Sequence, residues 1–219
     1  MTGFLYKDLL LMRRQITYIV TLILIYTALS AVGVMPASIL GGVVVIMGIV
    51  FPMNAFSGDD QAHWDKFAAA VPEGRRKAVA GRYLFVLLLI LGTSVLVTAL
   101  LLLLRVTGLL EEPLAELLLP VPACAAIALI MDGVLLPVVY KFGMEKYRIL
   151  SIIIFLVIFF GCMGLGKLAS LGSGSGLLSL PDNINALVIP LLLILAAAAV
   201  VIFVASYRIS LGIYCRKEF

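Results

Sequence analysis

The sequence predicts an all-α membrane protein with six transmembrane helices. Of its 219 residues, 63% are hydrophobic and 13% are charged, and the mean hydropathy is +1.21. Soluble domains carry about 45–50% apolar and about 25% charged residues, so a water-soluble fold of this size could not bury so much apolar surface. The apolar runs, such as LLLILAAAAVVIFVA, have no polar face. They are typical of helices in lipid and lack the alternation of a membrane β-barrel.

Six apolar stretches approach the length of about 20 residues that a helix needs to cross the hydrocarbon core of a bilayer. The first is long for the apolar part of a signal peptide, so we expect a retained anchor. The fifth is the shortest and is expected to cross with little tilt. The predicted spans are residues 16–34, 37–56, 83–104, 117–139, 149–166 and 186–207.

The basic residues predict the orientation of these spans. When the loops are assigned to alternate sides, only Arg105 and Lys167 of the 16 Lys and Arg residues fall on the outer side. The positive-inside rule then predicts that both termini and the loops 57–82 and 140–148 face the cytoplasm. The net charge of +4 is therefore interpreted as a topology signal, and no nucleic-acid partner is expected.

The residues before the first span, 3–14, form the stretch GFLYKDLLLMRR. Its apolar residues fall near one helical face, whereas Lys7, Asp8 and Arg14 fall elsewhere. This pattern favours a short helix in the membrane interface with its basic end at anionic headgroups. The alternative is that residues 3–14 are simply the start of the first span.

A long polar stretch, FSGDDQAHWDKFAAAVPEGRRKAVAGRY, separates the second and third spans and holds the only His and the only Trp of the chain. Ser57 followed by Asp59 and Asp60 is typical of a helix N-terminus, and Pro72 would end that helix. A single apolar face recurs at helical spacing. Its members are Trp64, Phe67, Ala68 and Val71. We therefore predict an amphipathic helix over about 58–71.

Two interpretations of this amphipathic helix stay open on physical grounds alone. It could lie against the lipid headgroups, or it could use Trp64 and Phe67 to anchor a cytosolic partner, since aromatic residues and Arg are favoured in interfaces.

Four features of the sequence occur together in one known family. They are the N-terminal stretch FLYKDLLLMRR, the loop N-x-F-x-x-D-D-x-x-x-W-D-K-F at 54–67 with VPEGRRKAVAGRYL at 71–84, the loop KFGMEKYRIL at 141–150, and six spans with both ends inside. In these features, and over essentially the whole chain, the protein resembles the ABC-2 family of bacterial ABC exporter permeases. Its layout is similar to that of the small permeases that export phenol-soluble modulins.

The resemblance implies an elbow helix at 3–14 and a coupling helix at about 58–71 that docks on a separate ATPase. The residues that it assigns to ATPase coupling are Asp59, Asp60, His63, Trp64, Asp65, Phe67 and Val71, with Gly143, Glu145 and Lys146 in a second, smaller contact. It also implies two permease chains, identical or different, in the cell membrane of a bacterium.

ATP and Mg²⁺ would then be bound by the partner ATPase. The chain has no G-x-x-x-x-G-K-[ST] phosphate loop and no H-E-x-x-H motif, so it is expected to hold no cofactor, metal ion or catalytic residue of its own.

Two residues are candidates for the substrate path. Asp132 lies midway through the fourth span, and an acid in hydrocarbon indicates function by default. The alternative is a hydrogen bond to a neighbouring span, helped by close approach at Gly133. Asn54 ends the second span. No ring of charge lines any span, so we expect a hydrophobic or amphipathic substrate, and relatives of this size point to amphipathic peptides.

Two other function classes remain as alternatives. A membrane scaffold or immunity protein would bind partners without needing ATP. An intramembrane lipid-modifying enzyme would need several polar residues at one depth, and only Asp132 clearly qualifies.

Overall fold

Helices make up the regular structure of the described part of the chain. The computed structural model describes residues 2–31, 35–62, 64, 74–109, 113–144, 146, 149–154, 156–157, 160 and 184–216. The helices are α1 (Thr2–Ala31), a 3₁₀ helix (Ala37–Gly41), α2 (Gly42–Gln61), α3 (Gly74–Val106), α4 (Leu114–Leu118), α5 (Pro120–Phe142) and α6 (Ile184–Arg216). The predicted all-α class is confirmed.

Four helical stretches within the described residues are long and apolar enough to cross a membrane. They are Ile39–Gln61, Gly74–Val106, Leu114–Phe142 and Ile189–Arg216, and they correspond to the second, third, fourth and sixth predicted spans. The apolar part of α1, Val20–Ser30, is shorter. Residues 149–154 are helical, but 161–166 of the fifth predicted span lie outside the described residues. The count of six spans stays a prediction.

Two segments that were expected to form helices of their own are parts of longer helices. α1 runs without a break from Thr2 to Ala31, so residues 3–14 belong to the same helix as the first span. Whether they lie in the interface stays a prediction. Ser57 was expected to start a new helix, but it lies inside α2, which ends at Gln61. That prediction is wrong because backbone hydrogen bonding continues through the segment, and the Ala62 N–H still donates to the Gly58 carbonyl at 3.1 Å.

The core lies where α2, α3 and α5 meet. Val44 of α2, Val86 of α3 and Leu135 of α5 have no exposed surface. α6 packs most extensively on α5, and α1 packs mainly on α3. The outward faces are apolar as well, since Val95 and Val201 are each more than two-thirds exposed. An apolar exterior around an apolar core is what a lipid environment stabilises.

α5 and α6 approach closely where Gly133 of α5 leaves room for the α6 backbone. A Cβ atom added at Gly133 would lie 3.1 Å from Ile202 Cγ2 and 3.6 Å from Phe203 Cα. On α6, Ala199, Ser206 and Ser210 are buried against the bundle. Small residues let helix backbones come together in lipid, where packing rather than the hydrophobic effect drives association. The predicted close approach at Gly133 is confirmed.

Replacing Gly133 should therefore destabilise the α5–α6 contact. Gly133→Leu forces a side chain into occupied space, and overpacking of this kind costs about 1–3 kcal/mol. We expect a lower melting temperature of the detergent-purified protein. Gly92→Leu is the matched control because a Cβ at Gly92 meets nothing within 4 Å. Equal melting temperatures for the two variants would contradict the close packing at Gly133.

Candidate functional site at the charged end of the bundle

Five helices meet at one end of the bundle, which we call the charged end. α1 brings Lys7 and Asp8, α2 brings Asp59 and α3 brings Arg82, while α5 and α6 bring Tyr140 and Tyr214. The first four residues are called the charge cluster below. The C-terminal ends of α2, α5 and α6 thus lie beside the beginnings of α1 and α3.

The charge cluster is a connected network of two cations and two anions. Asp59 accepts hydrogen bonds from both Lys7 Nζ and Arg82 Nη2, one on each carboxylate oxygen. Arg82 Nη1 lies 3.1 Å from Asp8 Oδ1, and Lys7 Nζ lies 3.7 Å from the same oxygen. Each charge therefore has an opposite charge as a neighbour, and the cluster is formally neutral.

The cluster is divided into a deep half and an outer half. The side chains of Arg82 and Asp8 are 5% and 4% exposed, whereas those of Lys7 and Asp59 are 22% and 16% exposed. Burial raises the pKa of the Asp8 carboxyl even though Arg82 and Lys7 lower it. Taking charges out of water is costly unless the partners stay in place, so the inner pair holds α1 and α3 together only while both members remain.

A layer of aromatic rings lies next to the charge cluster. The Arg82 guanidinium carbon lies 4.4 Å from the centroid of the Phe56 ring, an attractive cation–π arrangement. Phe56 packs edge-on against Tyr140 with centroids 5.5 Å apart, and Tyr140 packs against Tyr214 at 5.1 Å. The ends of α2, α5 and α6 are thereby joined to α3 through rings.

Hydrogen bonds also join α3 to α6. The Tyr83 hydroxyl lies 2.6 Å from Ser206 Oγ and 2.7 Å from Ser210 Oγ, all three being buried. Near the helix ends, Arg75 Nη1 donates to the Cys215 carbonyl at 3.0 Å. A cation at a helix C-terminus is favourable because it meets unpaired carbonyls and the negative end of the dipole.

A small cavity of about 80 Å³ opens beside the charge cluster. Its rim includes Asp60, Trp64, Gly143 and Met144. Trp64 follows the end of α2, and its ring lies 4.5 Å from Lys7 Nζ. Gly143 follows α5 with a φ of +82° and a ψ of −176°, a conformation that is essentially restricted to glycine. It lets the chain turn at the end of α5, where Met144 also lines the cavity.

Several residues predicted for ATPase coupling therefore lie together. Asp59, Asp60, Trp64 and Gly143, which come from two separate predicted loops, all line this cavity. Lys146 lies just outside it, with its ammonium 4.6 Å from the centroid of the exposed Phe142 ring. The remaining predicted coupling residues, His63, Asp65, Phe67, Val71 and Glu145, lie outside the residues that the structure describes.

The two substrate-path candidates lie apart from this site. Asn54 is exposed and lines a groove of about 370 Å³ between α1 and α2, with Tyr18, Leu22 and Phe51 among its neighbours. Asp132 is only 1% exposed, and neither carboxyl oxygen has a hydrogen-bond partner among the described residues. In this conformation Asp132 is thus sealed inside the bundle rather than open to a path.

Sequence reasoning missed Lys7, Asp8 and Arg82 as members of the site. Lys7 and Asp8 were assigned to the membrane interface, and Arg82 to the boundary of the third span. A signal was present, because all four residues of the charge cluster lie at the same predicted membrane end. Their pairing spans 52 residues between Lys7 and Asp59 and 23 between Asp59 and Arg82, so local patterns could not assign the partners.

The family model for the ABC-2 family transporter protein matches residues 3–215. The chain belongs to the ABC-2 transporter family. No curated protein and no solved structure matches it. The match confirms the family predicted from the sequence, and it includes every helix that contributes to the charged end. This ABC-2 family protein is therefore a membrane component of the transport type, in which the charged end is the candidate functional site.

Removing Arg82 should strongly destabilise this ABC-2 family protein. Arg82→Gln leaves Asp8 buried without its closest cation, and breaking a buried ion pair costs about 3–5 kcal/mol. We expect a large fall in melting temperature after purification in mild detergent. Arg76→Gln, an exposed position on the same helix, should change it little. A similar small change in both variants would contradict the structural role of the charge cluster.

Replacing Asp132, in contrast to replacing Arg82, should stabilise the protein. Replacing a buried polar group that has no partner by an apolar one of similar size removes a desolvation cost of about 1–3 kcal/mol. Asp132→Val is therefore expected to raise the melting temperature. Ser210→Ala, which removes a hydrogen-bond partner of Tyr83, is expected to lower it. A lower melting temperature for Asp132→Val would show that this carboxyl makes a stabilising interaction.

Proposed function

We propose that this ABC-2 family protein is the permease subunit of an exporter driven by a separate ATPase. Family membership supports the permease assignment. The observation that carries the coupling mechanism is the double contact of Asp59, which binds both Lys7 and Arg82. Through this double contact, a movement of the segment that joins α2 to α3 would be passed to the ends of α1, α2 and α3.

The joining segment, residues 62–73, would be the main ATPase contact. It leaves α2 three residues after Asp59, and it joins α3 eight residues before Arg82. A push on this segment would therefore be transmitted to two helices that the charge cluster already holds together. Lys7 and Asp8 extend the same connection to α1, so three helices would move as one body.

The turn after α5 would be the second, smaller ATPase contact. Phe142 is half-exposed, and the ammonium groups of Lys141 and Lys146 lie 5.1 Å and 4.6 Å from its ring centroid. An exposed aromatic ring between two cations is suited to a partner surface with acidic groups, since aromatic anchors are favoured in interfaces. Gly143 and Met144 of this turn line the same cavity as Trp64 of the first contact.

The proposal also specifies the subunits of the transporter and the side of the membrane that the charged end faces. The charged end would face the cytoplasm of a bacterial cell, with both termini on that side, because most basic residues lie there. Two permease chains and two ATPase subunits would form the transporter. ATP binding would close the ATPase pair and shift the permease between two arrangements of its spans.

The substrate would be hydrophobic or amphipathic, with amphipathic peptides as the specific proposal. The Ser and Thr hydroxyl groups along α3 have no proton free for a polar cargo, because they donate to carbonyls of their own helix. Thr93 donates to Leu89 at 2.8 Å, Ser94 to Ile90 at 2.6 Å, and Thr98 to Ser94 at 2.8 Å. Their oxygens can still accept hydrogen bonds, but three acceptors on one helix are a sparse substitute for the hydration shell of a small ion.

Trp64 and Phe67 provide the test of ATPase coupling. In Trp64→Ala with Phe67→Ala, we expect the ATPase to be lost when the tagged chain is purified from its native membrane in mild detergent. Transport should fall to background, since truncation of anchor residues removes most interface energy. The amount of protein inserted in the membrane should not change.

Val106→Ala is the matched control, because Val106 is 88% exposed at the opposite end of α3. This variant should retain both the ATPase and transport. If the unsubstituted chain purifies without an ATPase, the transporter assignment fails and a scaffold role replaces it. If the double variant keeps the ATPase and full transport, the assignment of the joining segment is wrong.

A further inference from the structure

Three groups surround the ammonium of Lys7, and each comes from a different part of the chain. Asp59 on α2 contacts it directly. Asp8 on α1 supplies a carboxylate oxygen at 3.7 Å. Trp64, which lies beyond the end of α2, places its ring centroid 4.5 Å away. Two carboxylates and the face of an indole are a favourable set of partners for a primary ammonium ion.

Charge balance makes this ammonium different from a lysine in an ordinary surface pair. Without Lys7, the charge cluster would hold two carboxylates and one guanidinium at positions that are mostly buried. Arg82 cannot compensate alone, because its single positive charge lies beside both carboxylates. A second cation is therefore needed at this place.

The neighbouring space also suits a ligand. The cavity of about 80 Å³ is lined by Lys7 itself together with Asp8, Asp59 and Trp64. Shortening the Lys7 side chain would enlarge this space by the volume of its stem. A small molecule of the same shape could then enter where the stem had been.

We propose that Asp59, Asp8 and Trp64 form a binding site for a primary ammonium group, and that Lys7 fills it as a tethered ligand. The site fastens the start of α1 to the segment that follows α2. It does not depend on an ATPase partner, so it can be tested on the purified chain alone. In a transporter, it would make Lys7 a positioning residue that fixes α1 to the segment between α2 and α3.

Chemical rescue tests this site directly. Lys7→Ala removes the ammonium and three methylene groups, which n-propylammonium replaces. Trp64 is the only Trp in the chain, so intrinsic fluorescence reports on the site without any label. We expect Lys7→Ala to show a changed emission, faster quenching by acrylamide and a lower melting temperature. n-Propylammonium chloride should reverse all three in a saturable way.

Tetramethylammonium and sodium chlorides at equal ionic strength separate binding from charge screening. Tetramethylammonium cannot donate to Asp59, and a hydrogen bond between charged groups corresponds to about a tenfold or larger difference in affinity. We therefore expect n-propylammonium to restore the emission at a concentration about tenfold or more below that needed with tetramethylammonium. Equal recovery in all three salts, or none in any, would overturn the proposal.

Two further variants complete the test. Lys7→Met keeps a long side chain without the charge, so its Trp64 emission should differ from that of the unsubstituted chain, and n-propylammonium should not restore it. Arg76→Ala, at an exposed position, should leave emission unchanged. If Lys7→Ala does not yield folded protein, unchanged emission in Lys7→Met would by itself overturn the proposal. Their failure would leave the permease assignment intact, because that assignment rests on the family match, but it would remove α1 from the proposed coupling mechanism.

Discussion

The structure depends on how four charges are accommodated at the end of an apolar helix bundle. Arg82 and Asp8 are almost completely enclosed, where an isolated charge would be very costly. Their cost is offset because Asp59 and Lys7 complete a neutral network. Since the four residues belong to α1, α2 and α3, the network can exist only in one relative arrangement of these helices. The ion pairs thus specify geometry, while apolar packing supplies most of the stability.

The polar groups at the charged end and those deeper in the bundle have different surroundings. At the charged end, ions and aromatic rings join five helices around an open cavity, which is where a soluble partner could reach them. Deeper in the bundle, polar groups are satisfied locally, as in the Tyr83 contact with two serines of α6. Asp132 is an exception, as are the Thr27 and Ser30 hydroxyls, because none of them has a hydrogen-bond partner among the described residues. This contrast makes the charged end the candidate site for contact with a soluble partner.

Sequence patterns were most successful where the relevant physics is local. Four of the predicted spans correspond to long apolar helices, because a run of apolar residues is sufficient to favour a helix in lipid. The predicted helix start at Ser57 was wrong for a related reason. Ser followed by acids favours an N-terminus, but this preference is weak compared with continued hydrogen bonding in a helix that is already packed against α3 and α5.

The sequence by itself therefore determined the lipid environment, the helical class and the family, and it indicated the stretch around Asp59 and Trp64 as a candidate site. Each of these follows from composition or from short motifs. Only the tertiary structure decided that Lys7, Asp8 and Arg82 complete this site, and that Gly143 joins its rim. The physical reason is that opposite charges attract through space and not along the chain. Their partners are fixed only when packing of the apolar helices has brought the ends of the bundle together.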